Sequence, residues 1–194
     1  MEFNCDPVPQ FAAWFAEAEM HEPNDPNAMS LATVDVNGAP HVRIVLCKGF
    51  DAAGLRFFTN MESNKGHDLA AHPHAAVCFH WKSLSRQVRA EGTVQKLPAA
   101  EDDAYFHTRH RDSQIGAWAS QQSRPLESGI KLTTEFHQIK NKFTDQAIPR
   151  PPYWGGYLII PHRIEFWQQR PHRLHERMLY TRENGEWQQM RLYP

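Results

Sequence analysis

"SLATVDVNGAPHVRIVLC", residues 30–47, sets two runs of β-branched and apolar residues on either side of Asn37-Gly38. Asn-Gly between two such runs is the strongest short-range hairpin signal, because these residues accept the positive φ angles of a tight turn. The same signature returns along the chain. Asp51-Ala52-Ala53-Gly54 is a second turn and leads into "LRFFTN". "HAAVCFHW" and "QVRAEGTVQKL" read as two more strands. Beyond "PRPPYW", a linker-like break, come four strand-like runs, "GGYLII", "RIEFWQQ", "RLHERMLYTR" and "EWQQMRLYP", the last two joined around Asn184-Gly185. Hairpin follows hairpin, which predicts a mainly β, antiparallel barrel rather than a doubly wound parallel sheet.

Helices interrupt this pattern without alternating with it. Phe11, Trp14, Phe15 and Ala18 fall at helical spacing and predict an N-terminal helix docking one face, ended by "EPNDPNA". "ESNKGHDLAAH" predicts a short helix with Ser63 as N-cap and Pro73 as its stop. Pro98 opens a helix running through Arg109. Asp112 and Ser113 read as the start of another, and "LESGIKLTTEFHQIKNKF" as a further helix that buries Leu126, Ile130, Phe136, Ile139 and Phe143. There is no internal repeat, no GxGxxG and no Walker loop, so a Rossmann or P-loop nucleotide site is not expected.

The 194 residues suit one domain, or one domain with arms. With 21 Lys+Arg against 22 Asp+Glu there is no global field to draw nucleic acid or a membrane, and anion recognition must be local. Arg interleaves with Trp81, Trp118 and Trp167, but no basic stripe accompanies them, so no nucleic-acid partner is expected. Cys5, Cys47 and Cys78 are an odd set without metal-ligand or paired spacing, which favours a reduced, cytoplasmic setting. "MEFNCDPVPQ" lacks the basic and apolar regions of a secretion signal, and no apolar run is long enough to span a bilayer. His72 with His74, or His172 with His175, could be drawn as metal ligands. Neither has a matching second pair, so no metal is expected. No Ser/His/Asp order and no carboxylate pair emerges.

Four clusters carry chemistry. In "HVRIVLCK", Arg43 and Lys48 are five apart and point to opposite faces of a strand, as anion ligands or as a solvated edge. "FFTNMESNK" gathers Thr59, Ser63 and Lys65 where a strand passes into a helix. That suits a phosphate cradle of hydroxyls, backbone N–H groups and one ammonium, or a plain capped helix. Tyr105 and Arg109 share a helix face at i and i+4, with Ser113 a turn later, a set that suits a phosphate monoester or an exposed basic helix end. In "RPHRLHERMLY", strand alternation would place Arg173, His175 and Arg177 on one face, where they repel unless an anion or an electron-rich ring lies between them.

These clusters, in this order, resemble the pyridoxine (pyridoxamine) 5′-phosphate oxidase family, over nearly the whole chain from "DPNAMSLATVDVNGAP" to "RLYP". The specific parts are "RIVLCK", "FFTNMESNK", "RQVRAEG", "YFHTRHRDSQIGAWASQQS", "YWGGY", "IEFWQ" and "RLHER". The resemblance implies an FMN-binding split β-barrel over 1–194. Residues 1–28 would form an N-terminal helix and arm, and 151–194 the strands that complete the flavin and substrate site. It implies a homodimer with FMN at the subunit interface, and oxidation of pyridoxine or pyridoxamine 5′-phosphate to pyridoxal 5′-phosphate with O₂ as acceptor. Arg43 and Lys65 would hold the FMN phosphate, with Thr59, Phe58 and the Ile44, Val45, Leu46, Cys47 and Lys48 segment nearby. Gln87, Gln122, Ser123, Trp167 and Arg177 would complete the flavin pocket from both subunits. Lys48, Tyr105, Arg109 and Ser113 would grip the substrate phosphate. Arg173 and His175, with Leu174 between them, would lie over the substrate ring as the catalytic pair. The chain departs from the pattern at Asn64, usually Arg or Lys, at Glu176, usually Asp, and in a short N-terminal arm. The competing reading is a flavin-binding relative that acts on another substrate, or binds pyridoxal phosphate without turnover. Tyr105, Arg109, Ser113 and "RLH" favour the oxidase.

Overall fold

A computed structural model describes residues 3–194; Met1 and Glu2 of the expected N-terminal arm lie outside the described residues. Helix α1 (Pro7–His21) starts at Asp6, whose carboxylate accepts from the Val8 N–H at 2.8 Å, with Pro7 in the first turn where a missing N–H costs nothing. It buries Phe11, Trp14 and Ala18 as their spacing predicts.

Strands β1 (Ala28–Val34) and β2 (Pro40–Leu46) form the expected hairpin. Its turn runs over residues 35–39 with only Gly38 left-handed (φ +86°), and Asp35 Oδ1 caps it by accepting from the Asn37 and Ala39 N–H groups. Next come β3 (Gly49–Asp51), β4 (Gly54–Asn60), α2 (Asn64–Ala71), β5 (His74–Trp81) and β6 (Arg86–Lys96). Helices α3 (Ala99–Thr108), α4 (Arg111–Ala119) and α5 (Gly129–Lys142) precede β7 (Trp154–Gln168), β8 (Glu176–Glu183) and β9 (Glu186–Arg191). All strands pair antiparallel in one sheet, ordered β2-β1-β5-β6-β7-β4-β3, with β8 also on β7 and β9 on β8. The sheet curls until β2 meets β4, and the Lys48 N–H, donating to Arg56 O at 2.8 Å, extends the β3–β4 hairpin beside that closure. Phe57, Phe79, Trp81 and Phe166 fill the interior, and α1 plugs one side, its Trp14 edge-on to Phe166 at 5.2 Å.

Three expectations fail here. "GGYLII" and "RIEFWQQ" are one strand. The register slips between Glu91 and Gly92, so Pro161 lies at a β-bulge where it need not break the ladder. Gly92 permits this approach, since a Cβ there would lie 2.2 Å from Ile160 O. α5 begins at Gly129, so Leu126 precedes it; Leu126 and Ile130 are exposed, and of the expected stripe only Phe143, just past the helix end, is buried, with Phe136 and Ile139 packed beside it. The helix packs on α4 and its first turns are exposed, so periodicity there has no face to bury against. Finally, "RLH" is not strand. Pro171–Arg173 form a 3₁₀ turn with His172 and Arg173 both at positive φ, and β8 begins only at Glu176, which removes the alternation expected of Arg173, His175 and Arg177.

Candidate active site

Where β2 and β4 close the barrel, the α2 N-terminus and the α3–α4 corner wall off a cleft of about 710 Å³. Ile44, Val45, Leu46 and Lys48 form one side, Phe58, Thr59 and Lys65 the floor, and Tyr105, Arg109, Ser113 and Gln122 the opposite side. Thus eleven residues expected from two separate groups share one cavity.

Lys65 anchors the first end. Ser63 occupies the N-cap of α2, yet its hydroxyl does not cap the helix. It donates to Asn60 O at 2.6 Å and accepts from Lys65 Nζ at 3.0 Å. Lys65 Nζ also donates to Thr59 Oγ1 at 3.1 Å and to Gln122 Oε1 at 2.6 Å, so all three ammonium donors are engaged. Thr59 Oγ1 donates to the same Gln122 oxygen at 3.2 Å. One carbonyl oxygen therefore sits between an ammonium and a hydroxyl, where an anionic oxygen would sit. Burial lowers the Lys65 pKa to about 8, with Arg43 adding repulsion and Asp68 opposing.

Arg109 anchors the other end, and its environment is different. It caps α3, where Gln114 Nε2 donates to Phe106 O at 3.2 Å and Arg109 O at 2.9 Å and pins the α3–α4 corner. Its guanidinium lies 4.7 Å over Trp154, whose ring continues a stack through Phe58 (5.5 Å) to Tyr105 (4.0 Å from Phe58). Among the described residues its Nη1 is buried without a hydrogen-bond partner, and burial pulls its pKa below the ordinary guanidinium value. Trp154, which sequence reading did not assign, carries this end; its presence in "YWGGY" was the available signal.

The remaining expected residues stand apart. Arg43 turns towards β1 and α2, its Nη1 donating to Leu31 O at 3.3 Å and to Thr33 Oγ1, its Nη2 3.5 Å from Asp68 Oδ2. Cys47 is buried behind the wall, its thiol pushed up by burial. Ser123 follows Gln122 in a left-handed turn (φ +71°) beside a smaller pocket of about 190 Å³. Gln87, Trp167 and Arg177 form one cross-strand row over β6, β7 and β8. His175 packs on Trp167 at 4.6 Å and accepts from the Arg170 N–H through Nδ1, while Leu174 is exposed. The repulsion expected of Arg173, His175 and Arg177 does not arise, since the turn takes the first two off the strand face; carboxylates of the same chain hold Arg177, whose Nε donates to Glu165 at 2.7 Å, and Arg170, which donates to Glu176 at 2.9 Å. Within one chain this row and the Arg173–His175 turn do not enter the cleft.

A curled antiparallel barrel with a cationic, ring-lined cleft at its seam is a split β-barrel. Among solved structures, PhzG from Burkholderia lata 383, crystallised with tetrahydrophenazine-1-carboxylic acid, superposes with a TM-score of 0.93 at 28% identity, over 98% of this chain and 94% of that one. A pyridoxamine 5′-phosphate oxidase-related, FMN binding protein from Nostoc punctiforme shares the fold at a TM-score of 0.77 and 18% identity, covering 99% and 100%. Residues 16–141 match the family described as Pyridoxamine 5′-phosphate oxidase, and 154–194 the Pyridoxine 5′-phosphate oxidase C-terminal dimerisation region. Pyridoxine/pyridoxamine 5′-phosphate oxidases of Azorhizobium caulinodans (54% identical, 97% of this chain and 90% of that one) and Rhodospirillum rubrum (53%, 97% and 96%) align along almost their whole length. The chain belongs to the pyridoxine/pyridoxamine 5′-phosphate oxidase family. Among the described residues no helix is long and apolar enough to cross a membrane.

Proposed function

We propose that the protein is an FMN-dependent oxidase that converts pyridoxine or pyridoxamine 5′-phosphate to pyridoxal 5′-phosphate, with O₂ reduced to H₂O₂. The observation that carries this reading is Arg109, a half-buried guanidinium lining the cleft with one donor unpaired, beside Tyr105, Ser113 and Lys48. An unpaired buried donor is costly, and a phosphate monoester is the ligand that would satisfy it. The Lys65–Thr59–Ser63 cradle fits a second phosphate, that of FMN, whose oxygen would replace the amide oxygen of Gln122.

When bound, FMN supplies the two-electron redox chemistry that side chains lack. The protein's part is placement. Lys65 and Thr59 hold the flavin phosphate, with Arg43 supporting from behind β2. The Ile44–Leu46 wall and Phe58 exclude water beside the ring system. Lys48, Tyr105, Arg109 and Ser113 fix the substrate phosphate, so binding energy far from the reacting carbon orients it.

The chain acts as one domain, 1–194, in a homodimer. Gln87, Trp167, Arg177, Ser123 and the Arg173–Leu174–His175 turn of one protomer complete the cleft of its partner. The placement of "RLH" on an exposed turn of the matched dimerisation region supports this, since those residues do not enter their own cleft. The test is to purify the protein, reconstitute it with FMN, and measure mass and peroxide formation with each phosphate ester. A yellow dimer releasing peroxide is expected; a protein that binds no FMN, or a monomer with full turnover, would overturn the reading.

A further inference from the structure

We infer that Asp68, on α2 behind the cleft, is a positioning residue that holds Arg43 in place and lets Lys65, three residues earlier on the same helix, stay charged near it. The inference rests on the reading that this cradle takes the FMN phosphate. Asp68 is 5% exposed. Its Oδ2 accepts from Thr33 Oγ1 at 2.6 Å and from His41 Nδ1 at 3.1 Å, and lies 3.5 Å from Arg43 Nη2. Thr33 in turn accepts from Arg43 Nη1. The guanidinium is thus held on two sides, by β1 through Thr33 and Leu31 O and by α2 through Asp68.

Electrostatics gives the arrangement its purpose. Neighbouring cations repel until an anion balances them, and the weaker one sheds its proton first. Lys65 is that one, depressed by burial and by Arg43, and Asp68 is the group that opposes the loss. Burial alone would raise the Asp68 carboxyl. The hydrogen bonds from Thr33 and His41, with the charges of His41 and Arg43, overcome that and hold it below the usual carboxylate range, so it is ionised where Lys65 titrates. The groups facing Lys65 are Arg43 from β2, Thr59 from β4, Ser63 and Asp68 from α2 and its cap, and Gln122 from the loop after α4. Those facing Asp68 are Thr33 from β1 and His41 and Arg43 from β2.

The experiment is a titration of apo-protein with FMN, read by quenching of flavin fluorescence at a series of pH values. Wild-type affinity should be level between about pH 7 and 8, above the second titration of the FMN phosphate, and then fall up to roughly tenfold per pH unit as Lys65 discharges. Asp68→Asn should move that break down by about 0.5–1 unit, which weakens binding less than about twofold at pH 7 and ~3- to 10-fold at about pH 9. Asp68→Glu, which keeps the charge, should restore the wild-type break. In a Lys65→Arg background no break should remain, whatever stands at position 68. A residue that merely ties α2 to β1 would lower affinity equally at every pH, and that result, or an unmoved break, would overturn the inference. Should Asp68→Asn fail to fold, Arg43→Met carries the test: removing the repelling cation must move the break upward, and an unmoved break would overturn the coupling. Lys65→Ala separates the two levels, because if it leaves FMN affinity unchanged the cradle itself has been misread.

Discussion

The two ends of the cleft hold their cations in opposite ways. Lys65 has all three donors engaged, by Thr59, Ser63 and Gln122, and the protein lowers its charge to a pKa of about 8. Arg109 lies on an aromatic face with a buried donor unpaired, and a guanidinium cannot discharge near neutral pH to relieve this. The first end is satisfied by side chains of the protein itself. The second carries a desolvation cost that an anionic ligand would remove. That division suits a cofactor that stays and a substrate that exchanges: satisfied surroundings keep the cradle folded, while the unpaired guanidinium concentrates binding energy on the molecule that must turn over.

The largest expected effect breaks the second end. Arg109→Ala removes a charge-assisted contact with a buried phosphate, about 2–3 kcal/mol. Substrate affinity should fall roughly 30- to 150-fold with flavin content unchanged. Equilibrium binding of pyridoxine 5′-phosphate to the holoprotein checks it; lost flavin with unchanged substrate affinity would assign Arg109 to the other phosphate. Next in size is Arg173→Ala. If its charge acts on the substrate ring as electrons leave it, kcat should drop ~10- to 30-fold while KM moves by less than about threefold. A pure KM effect would place Arg173 in the phosphate grip instead.

That second prediction also marks how far the sequence could be read. The β-hairpin order and most of the cleft were legible, because turn residues and periodicity are local properties of the chain: Asn37-Gly38 does turn and Tyr105 and Arg109 do face one cavity. The "RLH" segment was not, since positive φ at His172 and Arg173 follows from how the turn after Pro171 fits between β7 and β8, and neither residue type announces it. Leu126 and Ile130 had helical spacing, but spacing cannot tell whether a sheet lies beneath. Asp68 gave no signal at all. An aspartate inside a short helix reads as solvated, and only the approach of Thr33 and His41 from distant strands shows otherwise.

A smaller effect tests whether the first end is satisfied because Lys65 is already part-way to neutral. Unfolded, its pKa is near 10.4; in the apo-protein it is about 8. Between these values the unfolded chain holds the extra proton, so apo-protein stability should rise with pH across that window and be flat below about 8 with respect to this group. Lys65 is partly exposed, so the full shift overstates the gain; discounted for screening it is on the order of 1 kcal/mol, or about 2–4 °C in Tm. Lys65→Met should abolish the rise. FMN should abolish it too, since a phosphate returns the ammonium to its charged state. Thermal melts of apo- and holoprotein across this pH range decide it, and a rise that survives Lys65→Met would belong to another group.

The smallest effect concerns Asn64, where the family usually carries a cation. Asn64 opens α2 next to Lys65 and is exposed, so a cation there would meet the FMN phosphate through water. Position 64 is also not far from a cation already present. Arg124 donates to Glu62 O at 3.1 Å and lies 2.9 Å from His67 Nε2, which fixes its guanidinium against the first turn of α2. A charge held there would supply, from the loop after α4, part of what a basic residue at 64 would contribute. Asn64→Arg should tighten FMN binding only ~3-fold at low salt, under about 1 kcal/mol, and the gain should shrink as salt rises, because screening acts on the new charge and hardly on the amide it replaces. Arg124→Ala makes the argument sharper: in that background Asn64→Arg should recover a larger factor than in the wild type, since the two cations serve one anion. Equal factors in both backgrounds, measured by FMN titration of the apo-proteins at low salt, would show that Arg124 belongs to the packing of α2 and that the cradle is built from Lys65 and Arg43 alone.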